Sequence, residues 1–285
     1  MTGGREPIEA MPSEAALHAA IRRHDGLLVA YSGGVDSAYL LAVAVEMLGD
    51  RAVAATAISP SFPAHEREQA AAVARQLGAR HVEVSTDEME RVAYRVNDAD
   101  RCYHCKSALL DVLEPLRADL GLAAVATGVV VDDLGDHRPG QRAGADRGVV
   151  TPLVEAGLRK ADVRAASRAR GLPTWDKPAA ACLASRVVNG LQVTPLRLSR
   201  IEHAEAWLRK RLGDRVDLRV RDHGEVARVE VAADRLCDVV ELGPQLAARL
   251  RELGWVYVSL DLEGYRTGSG NDVLSSPVPS SGALK

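Results

Sequence analysis

A stretch of small residues between two apolar runs constrains the fold of this chain more than any other feature. Residues 32–37 (SGGVDS) follow the apolar run 26–31 (GLLVAY) and precede the longer run 38–48 (AYLLAVAVEML). The first run has the length of a buried strand, and the second is long enough for a packed helix. In that arrangement, backbone N–H groups converge at the positive end of a helix, where an anion binds.

The residue types in this loop suit an anion. Gly33 and Gly34 let the backbone approach closely because they carry no Cβ, and Ser32 and Ser37 add hydroxyl donors. No lysine follows the second glycine, so the loop differs from the phosphate loop that ends in Gly-Lys-Ser/Thr. Asp36 beside phosphates calls for a cation such as Mg²⁺. The alternative is an ordinary capped helix, with Asp and Ser as capping residues.

Length and charge limit the classes of protein that this chain can belong to. With 285 residues it can form one large domain or two modest ones, and a net charge of −3 argues against a general nucleic-acid binder. We expect neither a signal peptide nor a membrane span, because no apolar run approaches about 20 residues. A cytoplasmic protein is therefore predicted, with its four cysteines reduced.

Strands alternate with helices through the first half of the chain. Strands are predicted at 52–59, 80–85 and 123–127, and helices at 13–24, 65–77, 87–96 and 158–170. This alternation predicts an α/β fold, a parallel sheet with helices on both faces. Ligands bind at the carboxyl ends of such strands, so the loops after Tyr31, Ser59 and Thr127 should line one ATP crevice.

The character of the chain changes from Thr194 onward. A helix at 195–212, two strands around a turn at His223-Gly224, two more helices and a final strand predict a smaller α+β domain. The expected domains are residues 1–176 and 177–275, followed by a disordered Ser/Pro tail at 276–285. Residues 127–152 lack periodicity and should form an irregular loop, with Asp132 on a rim for phosphate and metal.

Three cysteines carry the second chemical signal. Cys102 and Cys105 form a Cys-x-x-Cys pair in RCYHCK, and Cys182 lies in KPAAACLASR. Three thiolates can hold a [4Fe–4S] cluster with one iron left open. A Cys₃His zinc site, completed by His104 or His137, is the alternative. Cys237 follows a different pattern, on an apolar helix face, and is predicted to be a buried core cysteine.

SGGVDS resembles the loop of the PP-loop ATP pyrophosphatases, which cleave ATP between the α and β phosphates to adenylate a substrate oxygen. Further stretches are similar to the LarE family of ATP-dependent sulfur transferases: TGVVVDDLGDHRPG, TPLVEAGLRKADVR, GLPTWDKPAAACLASR and LDLEGYRTGS. They extend over nearly all of residues 26–270. The nucleotide-binding residues that the resemblance and the crevice together predict are Ser32, Gly33, Gly34, Val35, Asp36, Ser37, Ser59, Gly128 and Asp132.

The LarE resemblance implies a reaction and its participants. The substrate would be a pyridinium mononucleotide with ring carboxylates, the cofactors ATP, Mg²⁺ and, as in three-cysteine members, a [4Fe–4S] cluster on Cys102, Cys105 and Cys182. Members with a single cysteine give up the sulfur of the residue matching Cys182. The net charge of −3 and the lack of a long apolar run predict no nucleic-acid or membrane partner, and the resemblance implies a homo-oligomer.

Cationic and polar residues can complete such a site. Lys106, Ser185 and Arg186 are candidate donors to the oxyanion of an acyl intermediate, beside Asp36 and Cys182 as catalytic residues. Guanidinium groups suit carboxylates and phosphates, and the candidates for substrate binding are Arg219, Arg221 and Arg266. Solvated surface charge is the alternative for each arginine. This interpretation requires the three sulfurs to meet at the mouth of the ATP crevice.

Three other functions remain compatible with the residues. A tRNA-thiolating PP-loop enzyme would need a basic docking domain, which the acidic net charge does not favour. An amide-forming PP-loop enzyme would need an ammonia source. A zinc-stabilised nucleotide-binding module would bind ATP without making pyrophosphate.

Overall fold

The computed structural model describes residues 12–135, 139–178, 181–213 and 216–266. Over these residues the chain divides into two compact units. The first comprises residues 12–58, Ala64–Thr86 and residues 106–178, and the second comprises Ser59–Pro63, Asp87–Cys105 and residues 181–266. Two shorter segments from the first half of the chain thus belong to the second unit, and the domain boundary after residue 176 stays a prediction.

A four-stranded parallel sheet forms the centre of the first unit. The strands are β1 Leu27–Ala30, β2 Ala52–Ile58, β3 Arg80–Ser85 and β4 Ala124–Thr127. Their order in the sheet is β3-β2-β1-β4, so β3 and β4 lie at its edges.

Helices cover both faces of this sheet. Successive residues of a strand point to opposite faces, so each face has its own set of apolar contacts with the helices. On one face, Leu27 and Val29 pack in a cluster with Leu40 and Leu41, whereas on the other Leu28 packs against Leu110. The predicted α/β fold is confirmed. The helices of this part of the chain are α1 Pro12–Arg22, α2 Val35–Leu48, α3 Ala64–Gln76, α4 Val92–Arg95, α5 Arg101–Asp119, α6 Pro139–Ala145, α7 Pro152–Glu155 and α8 Lys160–Ala169.

The second unit has a small mixed sheet and its own core. The remaining elements are α9 Pro195–Leu212, β5 Leu218–His223, β6 Val226–Val231, α10 Leu236–Glu241, α11 Gly243–Glu252 and β7 Tyr257–Leu260. Strand β6 pairs antiparallel with β5 and parallel with β7, and helix α9 packs its apolar side into the same cluster as the strands. Within the described residues, every helix falls short of the length and apolar character that crossing a bilayer requires.

Two local predictions were partly wrong. Only Val92–Arg95 of the predicted helix 87–96 is helical, because the chain before it turns to bury Glu88, whose carboxylate accepts a hydrogen bond from Ser61 Oγ at 3.2 Å. Residues 127–152 contain a 3₁₀ turn and helix α6 where an irregular loop was expected, since Gln141 donates to the carbonyl of Asp133 at 2.9 Å and folds the segment on itself.

The prediction of a buried Cys237 was also wrong. Helix α10 places Cys237 at the surface, whereas Val239 is buried and Leu236 packs against the core. Since residues 236 and 239 share one face at helical spacing, the residue after 236 turns away from it. The predicted tail at 276–285 lies outside the described residues.

Candidate functional site

The loop 32–37 is a tight turn at the start of a helix of 14 residues, α2. Gly33 has a φ of 70°, and a Cβ there would lie 2.7 Å from Cβ of Ala70, so only glycine fits. Ser32 Oγ and Ser37 Oγ lie 3.2 Å apart, and the Ser37 hydroxyl donates to the Gly34 carbonyl. The helix begins at Val35, and its N-terminus is therefore directed into this loop.

The loop after β4 touches the same turn. A Cβ added to Gly128 would lie 2.8 Å from the Ser37 backbone nitrogen and 2.9 Å from the carbonyl carbon of Asp36. The backbone of this second loop therefore approaches the first as closely as atoms allow. The carboxyl ends of β1 and β4 contribute to one surface, as the parallel sheet predicts.

Asp36 forms an ion pair with Lys160, the first residue of α8. The other carboxylate oxygen of Asp36, Oδ1, is buried without a hydrogen-bond partner among the described residues. Asp132 holds the same helix start, since its carboxylate accepts from the backbone N–H of Lys160 at 2.8 Å. Asp132 thus contributes to this surface by positioning Lys160.

A second lysine lies at the other end of the loop. Lys177 Nζ donates to the Gly33 carbonyl at 3.2 Å and lies 2.6 Å from Glu66 Oε2. Burial works to raise the pKa of Glu66, but hydrogen bonds from His65 and Lys177 outweigh burial and lower it to about 2. Two ammonium groups therefore flank a loop that contains no lysine or arginine of its own.

The three sequence-predicted cysteines all belong to the second unit. Cys102 and Cys105 lie on the first turn of α5, three residues apart and hence on one face, and Cys182 precedes a short 3₁₀ turn, Leu183–Arg186. Cys105 and Cys182 pack against the same apolar cluster, which includes Tyr94. Burial raises the pKa of Tyr94, and the neighbouring Cys182 and Cys105 raise it further.

Arg101 connects Cys182 with Cys102 electrostatically. Burial alone would lower the pKa of Arg101, but Cys182 and Cys102 lie close enough to raise it above its ordinary value. The thiols of Cys182 and Cys102 therefore lie near the Arg101 guanidinium, and those of Cys182 and Cys105 lie near the Tyr94 phenol. Thiols are the ligands that iron–sulfur clusters use, but no three His, Cys, Asp or Glu side chains within the described residues are arranged as metal ligands.

Two side chains donate hydrogen bonds to the peptide carbonyl of Cys182. The carbonyl of Cys182 accepts from Ser185 Oγ at 2.7 Å and from Arg186 Nη1 at 2.8 Å. Arg186 is 3% exposed, and its Nε lies 3.1 Å from Oε1 of the equally buried Glu205. In this arrangement Ser185 and Arg186 fix the backbone that carries the Cys182 thiol.

Comparison with known proteins identifies the family. Residues 14–108 match the asparagine synthase family. The pyridinium-3,5-bisthiocarboxylic acid mononucleotide synthase of Lactiplantibacillus plantarum, a LarE protein, is 35% identical over 263 residues, which cover 92% of this chain and 95% of that enzyme. The chain belongs to the LarE family.

Two further relatives of this LarE-family chain span most of its length. An uncharacterized protein of Synechocystis is 45% identical over 254 residues, or 88% of this chain and 94% of the relative. An uncharacterized protein of Methanocaldococcus jannaschii is 24% identical over 241 residues, or 85% of this chain and 91% of the relative. The family resemblance drawn from the motifs is therefore confirmed over nearly the whole chain.

Two of the three candidate substrate-binding arginines are buried in this LarE-family chain. Arg219 and Arg221 are 7% and 8% exposed, which excludes the alternative of solvated surface charge for both. Arg221 Nε donates to Glu230 Oε1 at 2.6 Å, and the Arg219 guanidinium lies over the Tyr265 ring. Arg266 is more exposed and pairs with Glu263 at 2.6 Å.

The remaining sequence-predicted residues take varied positions. Lys106 follows the cysteine pair on α5 and is half-buried. Ser59 Oγ lies 2.8 Å from Ser61 Oγ, in the short segment that joins the second unit. His137 lies outside the described residues.

Sequence reasoning missed Lys160, Lys177 and Glu66. The two lysines occur in LRKADVR and WDKP, two stretches that carry the LarE resemblance. That resemblance is the sequence signal that could have pointed to them. Neither lysine lies near the loop in sequence, so their meeting with it depends on the fold.

Proposed function

We propose that this chain is an ATP-dependent sulfur transferase that converts a pyridinium mononucleotide bearing ring carboxylates into its bis-thiocarboxylate. The observation that carries the proposal is the identity of 35% over 92% of the chain to a pyridinium-3,5-bisthiocarboxylic acid mononucleotide synthase. The glycine turn at 32–37 would supply the phosphate-binding chemistry, and the thiols of Cys182 and Cys102 near Arg101 would supply the sulfur chemistry that such a reaction needs.

The first step would be adenylation. A carboxylate oxygen of the substrate attacks the α-phosphorus of ATP, the bond to the bridging oxygen breaks, and pyrophosphate leaves. Backbone N–H groups of the turn, the Ser32 and Ser37 hydroxyls and the ammonium groups of Lys160 and Lys177 would hold the departing pyrophosphate. Mg²⁺ on Asp36 would neutralise phosphate charge when bound.

The second step would be sulfur transfer. A sulfur nucleophile attacks the carbonyl carbon of the acyl adenylate, and AMP leaves with the electron pair. If the nucleophile is the Cys182 thiolate, the product is a thioester. Loss of a proton from Cα of Cys182 then breaks its Cβ–S bond, which releases the thiocarboxylate and leaves dehydroalanine.

A renewable sulfur source would spare Cys182. A [4Fe–4S] cluster held by Cys102, Cys105 and Cys182 would supply a sulfide on its open iron. Arg219 and Arg221 would bind the anionic substrate, and Ser185 and Arg186 would keep the Cys182 peptide in place. Lys106 and Arg266 complete the proposed cationic residues.

The experiment is an assay of the anaerobically purified chain with ATP and the pyridinium biscarboxylate mononucleotide. AMP, pyrophosphate and a thiocarboxylate detected by mass spectrometry are expected. Release of AMP and pyrophosphate without any thiocarboxylate would refute sulfur transfer, and no pyrophosphate at all would refute adenylation.

Cysteine variants separate the two sulfur sources. With a required cluster, iron and acid-labile sulfide should be present and Cys102→Ala should abolish thiocarboxylate formation. If Cys102→Ala completes one turnover and leaves dehydroalanine at position 182, Cys182 itself is the donor. Zinc in place of iron would contradict the cluster.

A further inference from the structure

Asn97 has an unusual backbone and a buried amide. Its φ of 61° is the one positive value outside glycine among the described residues, and its side chain is 0% exposed. Asparagine tolerates this left-handed conformation better than other non-glycine residues, yet it is still uncommon. The surrounding structure must therefore hold Asn97 in place.

The Asn97 side chain makes hydrogen bonds to a segment about 90 residues further along the chain. Its Nδ2 donates to the carbonyls of Val188 and Leu191, each at 2.9 Å, and its backbone carbonyl accepts from Gly190 N at 3.0 Å. These partners lie in the loop that follows Cys182. The amide oxygen points the other way and accepts a hydrogen bond from Arg101 Nη1.

Arg101 continues the connection to the thiols. Its Nη1 also donates to the carbonyl of Ala184 at 2.9 Å, two residues after Cys182. Arg101 is the first residue of α5 and immediately precedes Cys102. One guanidinium therefore contacts the Cys182 segment, the Asn97 amide and the start of the helix that carries the other two cysteines.

We propose that Asn97 and Arg101 form a clamp, a pair of positioning residues that holds Cys182 next to Cys102 and Cys105 for sulfur transfer. The inference rests on the proposed function. An apolar side chain at 97 would fill space without orienting Arg101, whereas the amide satisfies three polar groups and fixes the guanidinium. The guanidinium in turn supplies positive charge beside the thiols of Cys182 and Cys102.

The deciding variant is Asn97→Gly, which permits the left-handed backbone and removes only the side-chain bonds. Asn189→Gly, in the same loop, is the matched control. We expect Asn97→Gly to release pyrophosphate within about twofold of the parent chain, while thiocarboxylate formation falls about tenfold or more, because small misplacements of reacting groups are costly. Asn189→Gly should retain both reactions.

A second readout needs no turnover. The reduced, chelator-treated full chain is treated with dibromobimane, a short reagent that joins two thiols, and cross-linked peptides are identified by mass spectrometry. Peptides that join Cys182 to Cys102 or Cys105 are expected in the parent chain and in Asn189→Gly. They should be reduced about tenfold in Asn97→Gly, a loss that a general change in stability would not confine to this pair.

Arginine variants keep the proposal testable if Asn97→Gly does not fold. Arg101→Met should lose the cross-link and the thiocarboxylate, Arg101→Lys should recover part of both, and Arg91→Met, at the surface, should lose neither. Cross-links and thiocarboxylate yields that are unchanged in Asn97→Gly or Arg101→Met would overturn the clamp. A parent chain that makes no thiocarboxylate, yet whose cross-links depend on Asn97, would refute the proposed function and leave the positioning role supported.

Discussion

Lys160 and Asp36 form an ion pair although 124 residues separate them in the chain. The ammonium group of Lys160 pairs with the Asp36 carboxylate, where a divalent cation is expected to bind. We expect a bound cation and Lys160 to compete for Asp36, and a displaced Lys160 would be available to the phosphates.

Lys160→Met should change two binding properties in opposite directions. The KM for ATP should rise about tenfold, since one charge-assisted contact to phosphate is lost. The Mg²⁺ concentration for half-maximal rate should fall, because Asp36 no longer has a competing cation. Pyrophosphate release titrated separately with ATP and Mg²⁺ measures both, with the exposed Lys210→Met as control. An unchanged Mg²⁺ requirement would show that no such competition exists.

Glu66 predicts a specific dependence of stability on pH. The pKa of Glu66 falls from 4.5 to about 2 in the folded chain, so its ion pair contributes stability above pH 4.5 and loses it as the pH falls toward 2. Glu66→Gln should lower Tm near neutral pH, and the gap from the parent chain should close through that acid window. Thermal unfolding at several pH values tests this, with the exposed Glu68→Gln on the same helix as control. A gap independent of pH would contradict the assignment.

Gly128→Ala should disturb the nucleotide loop through the backbone alone. The added Cβ would stand 2.8 Å from Ser37 N, which forces the two loops apart and costs about 1–3 kcal/mol. ATP affinity by calorimetry and the denaturant midpoint should both decrease. Gly243→Ala is the control, because a Cβ there meets nothing within 4 Å. Equal behaviour of the two variants would mean that the close approach has no role.

Arg186→Met should destabilise the chain by about 3–5 kcal/mol, because it leaves the Glu205 carboxylate buried without its main partner. Burial works against the charged form of Glu205, and Arg186 nevertheless helps keep its pKa below the ordinary value. The double variant Arg186→Met/Glu205→Met should regain much of that stability. Thiocarboxylate formation should stay low in both, since Arg186 also holds the Cys182 carbonyl. Recovery of product together with stability would assign Arg186 to folding alone.

The sequence predicted the elements that depend on local pattern. The order of strands and helices in the first unit and the hairpin of β5 and β6 follow from periodicity and turn residues, which act over a few neighbours. The prediction of a helix over residues 87–96 was partly wrong, and that of a buried Cys237 was wrong. The burial of Glu88, and which side of α10 faces the core, depend on the segments that pack against them.

By itself, the sequence determined the tight turn at residues 32–37, because only glycine fits at position 33, and the shared face of Cys102 and Cys105, because residues three apart on a helix are neighbours. Only the tertiary structure decided what those groups meet. Lys160 and Lys177 reach the turn, and Asn97 and Arg101 reach the Cys182 loop, across separations that no local pattern records. Such contacts arise when packing of the core brings distant segments together, and their polar groups must then satisfy one another.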